Sequence, residues 1–367
     1  MGAIDVTILD WFRKRDHRAR VEPAGVELAV SGGERLLDAA LAAGLAWPHD
    51  CRVGSCGTCR CVITDGRVRS LTDLAYTLDV ADIRAGAVLA CQCVLKSDVT
   101  VQVALGDRVA VPTATVNGTI AACRTLTHDI VELQVALERT AFAGARAGQY
   151  LDVAHAGIDA PRSYSLARAP AAAGSNTVTF FVRHVPGGAF TDWLFGADRV
   201  GSSLTLAGPY GDFHRRAGTG RMICVAGGSG LAPIHAIVEA ALADGIERDC
   251  TVLFGARTQA DLYDLDELRA LGARWHGAFE LVPMLSDEVA DSEWNGARGL
   301  VTSGIAPLFA AAPWRNGDEA YLCGPPAMVD AAIAALGACG MPETAIFFDK
   351  FLDASTLPGG RAAAPAS

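Results

Sequence analysis

The sequence predicts a multidomain chain made of a compact α+β module, an antiparallel β-barrel and an α/β domain built on a parallel sheet. Three observations carry this. Six of the eleven cysteines fall between Cys51 and Cys93, inside a β-rich N-terminal third. Short strands separated by Gly and Pro turns follow from about residue 116, the pattern of a small antiparallel barrel. From Arg221 onward continuous apolar runs alternate with helical stretches, as strands buried on both faces require.

The elements follow in order. Residues 1–105 hold short β-rich stretches, a helix-like segment at Arg35–Gly44 and a long Cys-containing loop. Periodicity is lost around Gly106, Asp107 and Pro112, so 106–115 reads as a linker. Strands at Gly118–Ala122, Ile130–Val135, Val178–Val182 and Ser203–Ala207 assign 116–216 to the barrel. Runs at Met222–Ala226, Thr251–Gly255, Phe279–Met284 and Ala320–Cys323 assign 217–353 to the parallel sheet. The Ala-, Pro-, Gly- and Ser-rich segment 354–367 lacks the apolar content for packing and is expected to be disordered.

Composition narrows the function. With 367 residues, 51% of them hydrophobic, the chain can bury several cores. A net charge of −10 opposes the basic surface that nucleic-acid binding needs. No run reaches the roughly 18 apolar residues of a membrane span, and charges interrupt a leader-like core in Met1–Arg20. A cytoplasmic monomer is the expectation. Cysteines crowded into one segment point to metal or Fe–S ligation rather than a disulfide framework.

Cys51, Cys56 and Cys59 have C-x4-C-x2-C spacing, and Cys91 follows after 31 intervening residues. Four thiolates at that spacing suit a 2Fe–2S cluster, with Gly54 and Gly57 letting the backbone wrap around it. A structural zinc site or unrelated buried thiols are the alternatives. Cys61 and Cys93 each lie two residues beyond a proposed ligand, where one face of a strand would carry both; they read as small buried hydrophobes, with competition for iron the other option. With Leu89-Ala-Cys91-Gln92 and the Gly66 turn, this segment resembles the plant-type ferredoxins, a β-grasp fold.

Arg162-Ser163-Tyr164-Ser165 resembles the R-x-Y-S motif of the ferredoxin–NADP⁺ reductase superfamily. That resemblance implies bound FAD, with Arg162 on the pyrophosphate, Tyr164 packed on the isoalloxazine and Ser165 near its reactive nitrogen. Downstream, Val182 and Arg183 end a strand, and Gly187, Gly188 and Thr191 open a helix whose free amides and hydroxyl suit an anion. A plain Gly-Gly turn with Thr191 as helix cap is the alternative. The superfamily often has Ser or Thr where this chain has Arg168.

Met222–Ala226 runs into Gly227-Gly228-Ser229-Gly230-Leu-Ala-Pro233, a strand, a glycine turn and a helix. The turn resembles the G-G-x-G-x-x-P element of the same superfamily, which places a nicotinamide dinucleotide at the helix N-terminus. Arg257 and Asp261-Leu-Tyr263 resemble its adenosine-side loop, and Cys323-Gly324-Pro325 its C-G-P motif, with Cys323 near the nicotinamide or, alternatively, a buried strand cysteine. Phe348 or Phe351 could approach the flavin or serve as core. Asp261, Asp264 and Asp266 outweigh Arg257 and predict NADH over NADPH.

The order of modules resembles the reductase components of ring-hydroxylating dioxygenases and multicomponent monooxygenases. The resemblance implies hydride transfer from NADH to FAD, with Ser165 and Cys323 at the reaction, and single electrons passed through the cluster to a terminal oxygenase with a Rieske or di-iron centre. The acceptor is expected to dock transiently near Arg52, Val53, Ser55 and Thr58. A deoxysugar dehydrase, a P450 or a membrane desaturase is an alternative acceptor, and a redox sensor an alternative of another class.

Overall fold

The computed structural model describes residues 15–49, 52, 54, 57–105, 113–170 and 176–351. Cys51, Cys56, Val53, Ser55, most of the expected linker, the expected disordered tail and the N-terminal leader question lie outside them. The chain divides into two compact units, 1–112 and 113–367.

The first unit begins with the hairpin β1 (His17–Glu22) and β2 (Val26–Val30), followed by helix α1 (Leu36–Ala42). Strands β3 (Arg60–Asp65) and β4 (Val68–Ser70), helix α2 (Val80–Arg84), and strands β5 (Ala87–Leu89), β6 (Cys93–Leu95) and β7 (Val99–Gln102) complete it. Its sheet has the order β2-β1-β7-β3-β5, with β1 and β7 parallel. The expected helix at Arg35–Gly44 forms over all but its ends. Leu36, Leu37, Ala39 and Ala40 are its buried face, joining Val21, Val30, Trp47, Leu89 and Val101 in one core.

The second unit opens with β8 (Ala114–Thr125), so the new sheet begins inside the expected linker segment. Strands β9 (Ile130–Leu137), β10 (Tyr150–Ala154), β11 (Arg162–Ser165) and β12 (Thr177–Arg183), helix α3 (Ala189–Phe195) and β13 (Ser203–Tyr210) follow. The sheet order is β11-β10-β13-β8-β9-β12, and a bridge between Leu166 and Phe180 brings its two edges together into a nearly closed barrel. Alternating burial along β8 shows a half-buried strand, apolar side inward.

The same unit continues with β14 (Met222–Gly227), α4 (Leu231–Ala243), β15 (Cys250–Ala256), α5 (Leu265–Ala273), β16 (Phe279–Leu285) and β17 (Ala297–Arg298). Helix α6 (Ile305–Ala311), β18 (Glu319–Gly324), α7 (Pro326–Ala338) and β19 (Ile346–Lys350) end it. Every pairing in this sheet is parallel, in the order β17-β16-β15-β14-β18-β19. Strands β14 and β18 are buried at every residue, as a sheet covered on both faces demands. Helix α4 is apolar nearly all round, because one side lies on the sheet and another meets the barrel: its core continues into Ile130, Ala167, Phe181 and Phe213. No helix among the described residues is long and apolar enough to cross a membrane.

Candidate active site

The chain leaves β14 in one direction to β15 and β16 and returns on its other side to β18 and β19, so the strand order reverses between β14 and β18. Ligands of open α/β sheets bind outside the carboxyl ends of strands at such a switch point. The glycine turn Gly227–Gly230 and the Cys323-Gly324 pair meet there. A Cβ on Gly230 would collide with the Cys323 carbonyl, so only glycine lets the two turns close on each other. Gly230 caps α4 without any side-chain partner for the helix amides, which leaves an N-terminus suited to a pyrophosphate. Pro233 sits in the first turn, and Pro325 and Pro326 open α7. Tyr263, expected on the adenosine side, is instead buried: its hydroxyl donates to the Gly228 carbonyl at 2.9 Å and its ring stands edge-on to Phe181 and Phe254. It props the turn from beneath.

The barrel contributes β11. Ser165 pairs with Tyr150 and Tyr164 with Leu151. Tyr164 packs on Phe190 at 5.5 Å and Phe180 at 6.2 Å, and burial pushes its phenol up. Arg162 reaches only the carbonyls of Ala160 and Pro161, with no ion pair among the described residues, so its charge faces solvent in a manner fit for a phosphate. The Ser163 hydroxyl is taken by Asp152 at 2.7 Å. Gly188 caps α3, and Thr191 is its third residue: the Thr191 hydroxyl bonds the Val185 and Gly188 carbonyls and receives the Val185 amide. Of the expected cradle, the Gly188 amide is spent on the Val185 carbonyl at 2.8 Å and the Thr191 hydroxyl holds the turn, so the amides that open α3 are what remains for an anion. Val182 is core, and Arg183 is ion-paired to Asp129 at 3.0 Å.

Ser165 and Cys323 converge on a residue that the sequence reading did not single out. Asp349 stands opposite Cys323 in the β18–β19 register and accepts from the Ser165 hydroxyl at 3.5 Å, across 184 residues of chain. Cys323 is fully buried; burial first and Asp349 second drive its thiol well up, so it remains protonated. The only signal in the sequence was an acid inside the apolar Ile346–Phe351 segment. Of the two terminal aromatics, Phe348 packs into the α6–α7 side of the sheet, whereas the Phe351 amide donates to the Gly324 carbonyl at 2.8 Å, beside the switch point.

At the end of β15, Arg257 pairs with Asp261 at 3.2 Å. Burial pushes the Asp261 carboxyl up, but the Thr258 amide and hydroxyl and the Arg257 charge outweigh it and hold it below the usual carboxylate range. Two acids expected to flank this loop are placed elsewhere: Asp264 is buried against the barrel and Asp266 pairs with Arg269. Glu288 supplies negative charge instead, bonding the Gln259 amide and side chain at 2.8 Å.

In the first unit, Cys59 and Cys91 are buried, each beside a turn rather than on a strand. The same-face argument for Cys61 and Cys93 therefore does not apply. Both lie in the apolar core, where burial drives the Cys61 thiol well up and the Cys93 thiol to about 12. The loop is drawn onto the Cys91 turn by Gln92, whose side chain donates to the Arg52 carbonyl at 3.3 Å. Gly54 has φ +89°, and a Cβ there would sit 2.7 Å from Gln92 Cγ. Arg52 is not the exposed docking cation expected: its side chain is only 18% exposed and pairs with Asp38 at 3.1 Å.

A nearly closed barrel packed on a parallel sheet with a glycine turn at its switch point has the architecture of a pyridine-nucleotide-dependent flavoprotein of the ferredoxin-reductase type, here joined to a cysteine-rich module. Residues 19–96 match the 2Fe-2S iron-sulfur cluster binding domain, 117–215 the oxidoreductase FAD-binding domain and 224–333 the oxidoreductase NAD-binding domain. The chain is 44% identical over 334 residues to the xylene/toluene monooxygenase electron transfer component XylA of Pseudomonas putida, covering 90% of this chain and 92% of that one. It is 34% identical over 353 residues to the reductase component of a naphthalene 1,2-dioxygenase system of Pseudomonas putida, covering 93% and 98%. Among solved structures, the cytochrome P450 reductase GcoB of Amycolatopsis superposes with a TM-score of 0.78 at 31% identity over 91% of this chain and 98% of that one. The chain belongs to the family of FAD- and 2Fe–2S-containing electron-transfer reductase components of multicomponent oxygenases.

Proposed function

We propose that this chain oxidises NADH and delivers the electrons singly to a terminal oxygenase of the di-iron or Rieske class. The observation that carries the reading is the meeting of Ser165, Cys323 and Asp349 where β11 of the barrel faces the switch point of the parallel sheet. FAD held here would supply two-electron acceptance of a nicotinamide hydride, and a 2Fe–2S cluster one-electron carriage.

The chain's own residues bind and orient. Arg162 and the amides that open α3, after the Gly187–Gly188 turn, would hold the FAD pyrophosphate, and Tyr164 and Phe351 would pack against its ring system. Gly227, Gly228, Ser229 and Gly230 admit the NADH pyrophosphate to the head of α4, with Pro233 setting the first turn. Gly324 and Pro325 keep backbone rather than side chain against the nicotinamide. The Ser165 hydroxyl, donated to Asp349, would turn its oxygen lone pairs to the flavin edge as an acceptor, and protonated Cys323 would exclude water without adding charge. Arg257, committed to Asp261 and flanked by Glu288, is poorly placed to receive a 2′-phosphate, which favours NADH. Cys51, Cys56, Cys59 and Cys91 hold the cluster. Plant-type clusters near about −400 mV lie below Rieske centres at roughly −150 to +300 mV, so donation runs downhill.

The name of the 44%-identical relative favours a monooxygenase acceptor, and the likeness to GcoB supports a P450 as the second reading. Purified chain loaded with FAD and iron–sulfur is tested for NADH oxidation with ferricyanide, and then for reduction of purified di-iron, Rieske and P450 acceptors. Absence of ferricyanide turnover in the fully loaded protein would sink the reading, and the fastest-reduced acceptor names the partner.

A further inference from the structure

Arg168, at the position where the sequence departs from the superfamily, does not face solvent. It follows β11 in the barrel, and its guanidinium grips Asp264 of the nucleotide half with two bonds of 3.0 Å, one to each carboxylate oxygen. The Arg168 side chain is 24% exposed and that of Asp264 1%. A third contact, 3.2 Å to Glu132 on β9, and stacking over the Phe181 ring at 5.1 Å fix the guanidinium plane. Asp264 has φ +59°, a left-handed conformation that aims its carboxylate at the barrel from the head of α5. Burial pushes the Asp264 carboxyl up against the pull of Arg168. His235, with Nε2 3.3 Å from Asp264, is held down to about 3 by burial and then by Arg168, so it adds no charge.

The residue before Asp264 is Tyr263, which bonds the Gly228 carbonyl. A short covalent and hydrogen-bonded path therefore runs from the barrel, through the fork, to the turn that receives the dinucleotide. We propose that the Arg168–Asp264 fork is a positioning device for hydride transfer, locking the Gly228 turn in register with the flavin-bearing strand β11. Neither residue touches the reacting atoms; both act through Tyr263. The inference rests on the reading of the switch point as the hydride-transfer site.

The test uses Arg168→Met/Asp264→Asn, which removes both charges together so that neither leaves an uncompensated charge buried, while Glu132 keeps its pair with Arg124 at 2.9 Å. Asn tolerates the left-handed backbone. In the nucleotide-free, FAD-loaded protein, amide hydrogen exchange across residues 228–231 should quicken about tenfold or more. In single-turnover mixing, flavin reduction at saturating NADH should slow about tenfold to a hundredfold, the range expected for a displacement near 1 Å. The NADH concentration for half-saturation should change little, and the long-wavelength charge-transfer absorbance should weaken. Unchanged exchange together with a parental rate overturns the proposal. Faster exchange with a parental rate overturns the hydride-positioning role, and a slowed rate with parental exchange overturns the path through Tyr263. If the double variant does not retain FAD, Arg168→Lys decides on the same two readouts, since it keeps the charge but cannot form the planar fork. Loss of all NADH-dependent reduction in the parent protein would instead strike the underlying function.

Discussion

The cysteine loop and the glycine turn at the head of α4 are built by opposite means for the cofactors proposed to bind there. The loop offers cysteine side chains, and its described residues Arg52 and Gly54 are held by Asp38 and Gln92, with Gly54 left-handed. The turn supplies backbone amides, and its shape comes from packing so close that a Cβ on Gly230 would strike the Cys323 carbonyl. One site should fail when a side chain is taken away, the other when a single carbon is added.

The largest effect expected from that contrast is at the cluster. Cys59→Ser or Cys91→Ser, like Cys51→Ser or Cys56→Ser, should abolish the 2Fe–2S absorbance and reduction of the protein acceptor while flavin reduction by NADH persists. Cys61→Ser and Cys93→Ser should keep the visible spectrum; a normal cluster in Cys59→Ser alongside loss in Cys61→Ser would reverse the ligand assignment.

At the turn, Gly230→Ala should lower kcat/KM for NADH about a hundredfold through displacement of the amides, with the overpacking itself costing about 1–3 kcal/mol of stability. The cluster spectrum should not change. A parental kcat/KM would show that the turn yields, and that packing does not set its geometry.

Where the two halves of the flavoprotein unit meet, Ser165→Ala and Asp349→Asn should each slow flavin reduction about tenfold, the value of one hydrogen bond to a charged group. Their double variant should be no slower than the worse single one if the pair acts as a unit. Additive losses, read by single-turnover mixing, would separate them.

Cofactor choice sharpens the contrast further, because there side chains are expected to bear on the dinucleotide. NADH should exceed NADPH about tenfold in kcat/KM, and Glu288→Gln with Asp261→Asn should narrow that ratio. Equal kcat/KM values in the parent protein would overturn the electrostatic account.

The smallest effect is expected at Arg52. Its pairing with Asp38 makes Arg52→Ala a loss of about 1 kcal/mol in stability of the first unit, measured by thermal unfolding, with acceptor reduction close to parental. A selective fall in acceptor reduction at unchanged stability would restore Arg52 to the docking surface.

Much of the site was legible because its markers are local. C-x4-C-x2-C, R-x-Y-S and the glycine turn each span a few residues, so backbone geometry ties their spacing to their chemistry. Strand and helix positions were readable for the same reason: Met222–Ala226 and Ala320–Cys323 are apolar throughout because both faces of the sheet are covered. Single acids were not. Asp264 read as a charge on the adenosine loop, yet its left-handed φ turns it to the barrel. Thr191 read as a ligand for an anion, yet its hydroxyl closes its own turn.

By itself the sequence determined the three modules, their order, the cysteine spacing and the motifs that resemble FAD- and nicotinamide-binding elements, since each is written in residues that are neighbours along the chain. Only the tertiary structure decided which side chains from distant segments face one another. Asp349 reaches Ser165 across 184 residues and Arg168 finds Asp264 across 96. Such meetings follow from how the barrel and the parallel sheet share a core around α4, and long-range packing of that kind leaves no fixed spacing in the chain.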